Sequence, residues 1–260
     1  MPVYKDQLNN NILLTKTPLR IISIVPSQSE FLWHIGIKEQ LVGITKFCVH
    51  PTEMFKSIDR VGGTKKLDIN KIRALKPDLI IANKEENNKT EIELLQKEFN
   101  VWISDICNFN DAFKMMKLLA LILNKEAEVK ILISQIKKSL LAIKNIFNKK
   151  TVAYFIWYKP YMLAANDTYI DFVLNYIGLK NVALKLNRYP TIDIESLQNL
   201  KPQLCFLSSE PFPFKQKHVL ELQQHLPNSK IIIVDGEVFS WYGLRMLHLE
   251  EYVKSLTQIL

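Results

Sequence analysis

The chain has 260 residues, of which 48% are hydrophobic and 23% are charged. This composition excludes a disordered or fibrous protein, and the length allows one large domain or two small ones. The 34 basic residues outnumber the 26 acidic ones, giving a formal charge of +8. Because they are mostly scattered lysines without interleaved aromatics, we expect a solvated basic surface and no nucleic-acid partner.

Short apolar runs alternate with helical patterns along the first half of the chain. The predicted strands are residues 20–25, 41–46, 79–82 and 101–104, and the predicted helices are residues 28–36, 68–75 and 90–99, the last capped by Thr90. The second half repeats the scheme, with strands at 151–157, 203–208 and 230–234 and helices at 168–178, 193–200, 216–225 and 242–260. This alternation predicts an α/β protein with two Rossmann-like lobes and parallel sheets.

An internal repeat supports the two-lobe organisation. Residues 68–79 align with residues 193–204, and six of the twelve positions are identical. Each copy has a capping Asp, a two-turn helix, a Lys-Pro stop and an apolar strand. The alternative is a chance similarity between two common αβ units.

Residues 110–148 are helical throughout except at Asn124-Lys125, which predicts two helices. The second, residues 126–147, would be roughly 22 residues and about 33 Å long. We therefore predict an N-terminal lobe (1–109), a helical segment (110–148) whose long helix joins the lobes rigidly, a C-terminal lobe (149–260), and a ligand cleft between the lobes that opens only to a limited extent.

The N-terminus lacks both the apolar stretch of a secretory signal and a lipobox cysteine. The longest apolar run, residues 118–123, is far shorter than a bilayer span. Taken as a complete chain, the sequence predicts a cytoplasmic protein without a transmembrane helix. Cys48, Cys107 and Cys205 are far apart in or beside apolar runs, which predicts buried thiols and no disulfide framework or metal knuckle.

Four segments and the long helix carry a resemblance to a known family. The segments are residues 20–30, 41–45, 60–63 (Arg-Val-Gly-Gly) and 72–81. The chain resembles the class III substrate-binding proteins of ABC importers, the cobalamin and iron-siderophore type, also called helical-backbone metal receptors. The resemblance implies two α/β lobes joined by one helix, capture of a corrinoid or of a siderophore or haem iron chelate, a location in the periplasm or on the outer face of the membrane, and an ABC permease as partner. We expect a monomer.

The sequence departs from the family pattern at two places. Members typically dock on permease arginines through one Glu on each lobe, and the corresponding residues here are Glu195 and Asn70, so one docking carboxylate is missing. The aromatic residue that stacks on the ligand in the cobalamin-binding member is replaced by Thr64-Lys65-Lys66.

Ligands of parallel sheets bind beyond the carboxyl ends of the strands, so candidate ligand-binding residues follow each strand. In the first lobe they are Ser27, Gln28, Phe47, His50, Asn83 and Lys84; in the second they are Trp157, Tyr158, Glu210, Phe212, Trp241, Tyr242 and Arg245, together with Arg188 and Tyr189 from a loop. Their aromatic density suits a large conjugated ligand, with Arg188 and Arg245 pairing its carboxylates or amides. The alternatives are that about half of these rings belong to the lobe cores and that Ser27 caps a helix.

His50 is the only histidine placed after a strand, which makes it a candidate axial ligand of a bound iron or cobalt centre. His218, His225 and His248 are predicted to lie on helix surfaces. We expect no bare-metal site, no resident cofactor and no enzyme activity, since the sequence supplies neither a convergent metal-ligand set nor a nucleophile, dinucleotide or P-loop motif. The alternatives are a cytoplasmic relative that buffers or hands on a metal chelate, and an enzyme on the same fold.

Overall fold

A computed structural model describes residues 3–260, which form two compact α/β units. Unit 1 contains the described residues up to Ile106, together with Asn110–Gln135 and Tyr242–Leu244. Unit 2 contains Cys107–Phe109, Ile136–Trp241 and Arg245–Leu260. In the part of the chain that the structure describes, no helix has the length and hydropathy to cross a membrane.

Unit 1 is built on a five-stranded parallel sheet. Its strands lie in the order β5-β4-β3-β6-β7. They are β3 (Ile21–Ser23), β4 (Leu41–Ile44), β5 (Asp59–Arg60), β6 (Leu79–Asn83) and β7 (Val101–Ser104), preceded by an antiparallel hairpin of β1 (Val3–Lys5) and β2 (Asn11–Leu13). The central strands β3 and β6 are wholly buried, as expected for a parallel sheet covered on both faces.

Five helices begin in or beside unit 1: α1 (Pro26–His34), α2 (Thr52–Ser57), α3 (Ile69–Leu75), α4 (Lys89–Gln96) and α5 (Phe109–Leu123). The predicted Thr90 cap of α4 is wrong. Asn88 is the cap, and its side chain accepts hydrogen bonds from the backbone N–H groups of Thr90 and Glu91. The helix therefore begins one residue earlier than the sequence indicates.

Helix α6 (Glu126–Leu141) contains the boundary between the two units, after Gln135. It has 16 residues and ends six residues before the predicted position. The N–H of Ala142 bonds the carbonyl of Ser139, which tightens the last turn, and Asn145 takes a left-handed φ of 57°. The N–H of Asn145 then donates to the carbonyl of Tyr176, so contacts with a segment distant in the chain follow the end of the helix.

Unit 2 is built on a six-stranded sheet with the order β11-β9-β8-β12-β13 and with β10 also paired to β8. The strands are β8 (Thr151–Trp157), β9 (Tyr161–Leu163), β10 (Lys180–Asn181), β11 (Thr191–Ile192), β12 (Leu204–Ser208) and β13 (Lys230–Val234). The predicted strands are parallel, but β9 runs antiparallel to its neighbours. The link from β8 to β9 is too short for a parallel crossover, so the chain reverses as a hairpin.

The helices of unit 2 are α7 (Tyr169–Tyr176), α8 (Ile194–Leu200), α9 (Gln216–His225), α10 (Gly236–Ser240) and α11 (Leu249–Ile259). The single predicted helix at 242–260 is wrong. A 3-10 turn (Leu244–Leu247) precedes α11, and Gly243 has a φ of 86° that ends any helix there. Helix α10, capped by the Asp235 side chain, was not predicted.

The internal repeat is confirmed by the backbone geometry of α3 and α8. The side chain of Asp68 accepts from the N–H of Lys71 at 3.0 Å, and that of Asp193 accepts from Ser196 at 2.7 Å. Each helix ends at a left-handed lysine, Lys76 or Lys201, with φ of 46° in both. A proline and a wholly buried strand follow each time.

Candidate functional site

The parallel strands of each unit end at one edge of its sheet, and the predicted site residues follow those ends. In unit 1 they follow β3, β4 and β6; in unit 2 they follow β8, β12 and β13. The two edges are therefore two candidate sites, each built within its own unit.

A buried polar cluster lies at the edge of unit 1. Gln28 and Asn83 each donate from their side-chain amide to the hydroxyl of Tyr242, at 3.1 and 3.0 Å. Asn83 also donates to Ser104 at 3.0 Å. Three predicted site residues are thus brought together, and their amide donors are already used within the protein. Burial raises the pKa of Tyr242 far above its ordinary value, so this hydroxyl stays neutral.

The sequence did not reveal the part that Ser104 plays in this cluster. Ser104 ends strand β7, and it accepts from both Gln28 and Asn83. The sequence signal for Ser104 was a polar residue at the end of an apolar strand. Its role depends on Gln28, a partner 76 positions away in the chain.

The first turn of α1 contains Ser27, which is buried. The predicted capping role does not appear, because Val25 occupies the N-cap position and α1 has no side-chain cap. Behind this turn the thiol of Cys48 lies 3.2 Å from the hydroxyls of both Ser29 and Thr45. Burial raises the pKa of Cys48 to about 11, so the thiol is protonated and unreactive at neutral pH.

The exposed part of the unit 1 edge carries an aromatic ring and charged groups. Phe47 follows β4 and is 50% exposed, and the ammonium of Lys46 lies 5.1 Å from its ring centre. Lys84 pairs with Asp105 at 2.6 Å, and His50 is partly buried at the start of the turn before α2. Phe47 therefore presents a free aromatic surface beside a cation.

Unit 2 carries a group of three rings that we call the aromatic shelf: Trp157, Tyr158 and Phe212. The ring centre of Phe212 lies 5.8 Å from that of Trp157 and 5.4 Å from that of Tyr158. Trp157 is 41% exposed, whereas Tyr158 and Phe212 are partly buried. Offset and edge contacts at these distances are favourable, so the shelf is a preformed aromatic surface.

Phe214 and His218 pack against the rings of Tyr158 and Phe212, and both are 4% exposed. The ring of His218 lies 4.7 Å from Tyr158. The predicted surface position of His218 is therefore wrong: its Nδ1 accepts from the N–H of Lys215 at 2.8 Å. Burial lowers the pKa of His218, which keeps this acceptor neutral.

A second group in unit 2 surrounds the carboxylate of Glu210. Its Oε1 accepts from the indole of Trp241 at 2.8 Å and from Ser240 at 2.9 Å. The guanidinium of Arg245 lies 5.2 Å from the Trp241 ring centre and 3.2 Å from a carboxylate oxygen of Glu237. Burial raises the pKa of Glu210, and the nearby charge of Glu237 acts in the same direction. Trp241 is only 8% exposed, so most of its ring packs against protein.

Arg188 and Tyr189 are the predicted loop residues of unit 2. Arg188 pairs with Asp167 at 2.8 Å, and Tyr189 is partly buried. Asp167 also lines a cavity of about 430 Å³ beside α7, whose wall includes Lys144, Asn166 and Phe172. Because this wall combines segments from distant parts of unit 2, the sequence did not predict it.

The two predicted docking positions are equivalent in the internal repeat. Asn70 and Glu195 each stand two residues after the capping Asp, in the first turn of α3 and of α8, and both are exposed. Among residues 3–260, no group of three or more His, Cys, Asp or Glu side chains is arranged to hold a metal ion.

Comparison with known proteins gives the family. A family model described as periplasmic binding protein matches residues 21–230. The chain belongs to this family. The matched residues include the strands from β3 to β12, so both copies of the repeated α/β unit lie within the match.

Two curated relatives are similar to this chain over about three quarters of its length. An uncharacterised ABC transporter substrate-binding lipoprotein of Bacillus subtilis, YvrC, is 24% identical over 76% of this chain and 66% of its own, just under two thirds of its length. The vitamin B12-binding protein of Vibrio parahaemolyticus is 26% identical over 79% of this chain and 77% of its own.

Two solved structures share the fold. The petrobactin-binding protein YclQ of Bacillus subtilis superposes with a TM-score of 0.81 at 18% identity, covering 98% of this chain and 97% of its own. A periplasmic heme-binding protein from Pseudomonas aeruginosa gives a TM-score of 0.76 at 19% identity, with 92% of both chains covered.

Proposed function

We propose that this periplasmic binding protein is the substrate-binding component of an ABC importer and that it captures a corrinoid or an iron chelate, either a siderophore or haem. The observation that carries the proposal is the aromatic shelf of unit 2, with Trp157 41% exposed where β8 ends. The relatives named for vitamin B12, haem and petrobactin support the same ligand class.

The chemistry of the shelf fits a large conjugated ligand. Flat rings gain dispersion and quadrupole contacts with a macrocycle or a catecholate, and they lose little conformational entropy on binding. Phe47 of unit 1 offers a further exposed ring, with the Lys46 ammonium beside it for an anionic or amide rim. Binding of this kind needs no covalent step, and we propose none.

A panel titration tests the proposal. Purified protein is titrated with cobalamin, cobinamide, haem and ferric siderophores and followed by visible absorbance and native mass spectrometry. We expect a one-to-one complex of about micromolar or tighter affinity with one class. No complex with any member of the panel would refute the assignment.

The relatives that are periplasmic proteins or lipoproteins support an extracytoplasmic location, and we propose the same compartment and a permease partner for this chain. Fractionation of the native host tests this. Recovery with the membrane exterior or periplasm is expected, and a wholly cytoplasmic pool would contradict it.

Asn70 favours a second candidate, a relative that buffers or hands on a metal chelate without docking on a permease. The exposed amide supplies no charge for a permease arginine at this position. Co-purification with a permease separates the two candidates, because only the importer component requires a stable complex.

A further inference from the structure

Glu210 lies in the turn after β12 and contacts two side chains of the α10 segment. One carboxylate oxygen accepts both the Trp241 indole N–H and the Ser240 hydroxyl, at 2.8 and 2.9 Å. We propose that Glu210 is a positioning residue, which does not touch the ligand and instead orients Trp241 and, through it, Arg245. The binding role in this proposal rests on the proposed function.

Gly236, the first residue of α10, packs closely against the turn that contains Glu210. A Cβ atom on Gly236 would lie 2.7 Å from Cγ of Glu210, closer than real Cβ contacts come. The N–H of Gly236 also donates to the Ser209 hydroxyl at 2.9 Å, beside the bond from Ser240 to Glu210. Helix α10 is therefore held against the Glu210 turn at its first residue and at its last.

The hydrogen bond extends the influence of Glu210 to the guanidinium. Arg245 lies 5.2 Å from the centre of the Trp241 ring, and it is also paired with Glu237 at 3.2 Å. The side chains of Arg245 and Glu237 are 14% and 22% exposed, so this ion pair is largely buried. Without Glu210, the Trp241 indole would lose its hydrogen-bond acceptor and could rotate. Its rotation would move the Arg245 guanidinium that lies over the ring.

A residue that acts through another has a distinctive signature in a double-mutant cycle. If Glu210 acts through Trp241, its replacement has little further effect once the indole N–H has been removed. A residue that contacts the ligand directly would instead lower affinity by the same factor in both backgrounds. Non-additivity therefore distinguishes positioning from direct contact.

The experiment compares Glu210→Leu, Glu210→Gln and Trp241→Phe, alone and combined, with Glu250→Gln as control. Glu250 is a carboxylate of α11 that pairs with Lys254. The ligand-free readout is the Trp241 indole N–H resonance, assigned by its loss in Trp241→Phe. We expect it to shift in Glu210→Leu and to stay near its original position in Glu210→Gln, because an amide oxygen still accepts.

The second readout is affinity for cyanocobalamin and haemin. We expect Glu210→Leu to weaken binding of the accepted probe about tenfold, Glu210→Gln less than about threefold, and Glu210→Leu less than about twofold in the Trp241→Phe background. Circular dichroism checks folding. If Glu210→Leu does not fold, Glu210→Asp, which retracts the acceptor by one methylene, is expected to give the same indole shift.

Three results would overturn the inference. If the Trp241 indole resonance shifts in neither Glu210→Leu nor Glu210→Asp, Glu210 does not position Trp241, whatever the ligand is. A moved resonance with unchanged affinity, or losses of affinity that add in the double variant, would remove the binding role. If the unsubstituted protein binds neither probe nor any other chelate of the panel, the proposed function fails, and the indole resonance still decides the contact separately.

Discussion

At the residue scale, the exposure of Trp157 distinguishes the aromatic shelf from a buried core. It ends β8 and contacts Phe212 by its edge while 41% of its surface stays exposed. We expect Trp157→Ala to weaken ligand binding about tenfold or more and to change thermal stability little, since half-exposed rings contribute less to folding than buried ones. Titration of the accepted chelate measures this.

Trp33, a partly buried ring at the end of α1, provides the matched control. Trp33→Ala is expected to leave ligand affinity unchanged. Equal losses of affinity in both variants would show that the shelf has no special part in binding.

We expect His218 to make the packing of the shelf sensitive to pH. Its pKa is lowered in the folded protein from 6.5, so the unfolded chain binds more protons as the pH falls below about 6.5. The stability that His218 contributes is therefore fully present above that pH and is lost on acidification. Urea unfolding at pH 7.5 and 5.5 should show a smaller pH dependence for His218→Phe than for the unsubstituted protein, with exposed His225→Gln as control. Identical pH dependence in all three proteins would contradict this.

At the element scale, the repeated Asp caps should stabilise the two units alike. Asp68 and Asp193 each accept the N–H three residues ahead, which satisfies a donor that the helix leaves open. We expect each Asp→Ala change to lower Tm by about 2–4 °C, with the two effects additive because the sites lie in different units. Glu93→Ala, which breaks only an exposed pair with Lys89, should lower it by less than about 1 °C. A cap variant no less stable than this control would refute the role of the cap.

The elements that the sequence predicted well are those whose limits are set locally. Strand β8 and helix α9 begin and end at the predicted residues, because apolar alternation and helical spacing both stop there. The end of α6 was missed because buried Ile143 and Phe147 continue the apolar spacing beyond it, while the bonds that end the helix reach the loop after α7. In the same way, the sequence does not distinguish Phe212 from Phe214, because only tertiary packing buries Phe214 and leaves Phe212 partly exposed.

At the scale of the whole molecule, the internal repeat gives a direct test of permease docking. The two units present equivalent exposed positions on α3 and α8, occupied by Asn70 and Glu195. We expect Glu195→Ala to leave ligand affinity unchanged and to weaken the permease complex, because it removes the carboxylate that we propose to pair with a permease arginine. The Asn70→Glu change adds the equivalent carboxylate to unit 1 and should strengthen the same complex.

Surface plasmon resonance against the permease in nanodiscs measures both variants, at low and at moderate salt, because contacts between exposed charges weaken as salt screens them. Glu251→Ala, an exposed carboxylate of α11, is the control and should behave as the unsubstituted protein does. If Glu195→Ala lowers ligand affinity, its place on a docking surface is wrong. If Asn70→Glu has no effect on a complex that Glu195→Ala weakens, the two repeats are equivalent in structure but not in docking, and only unit 2 supplies the charged contact.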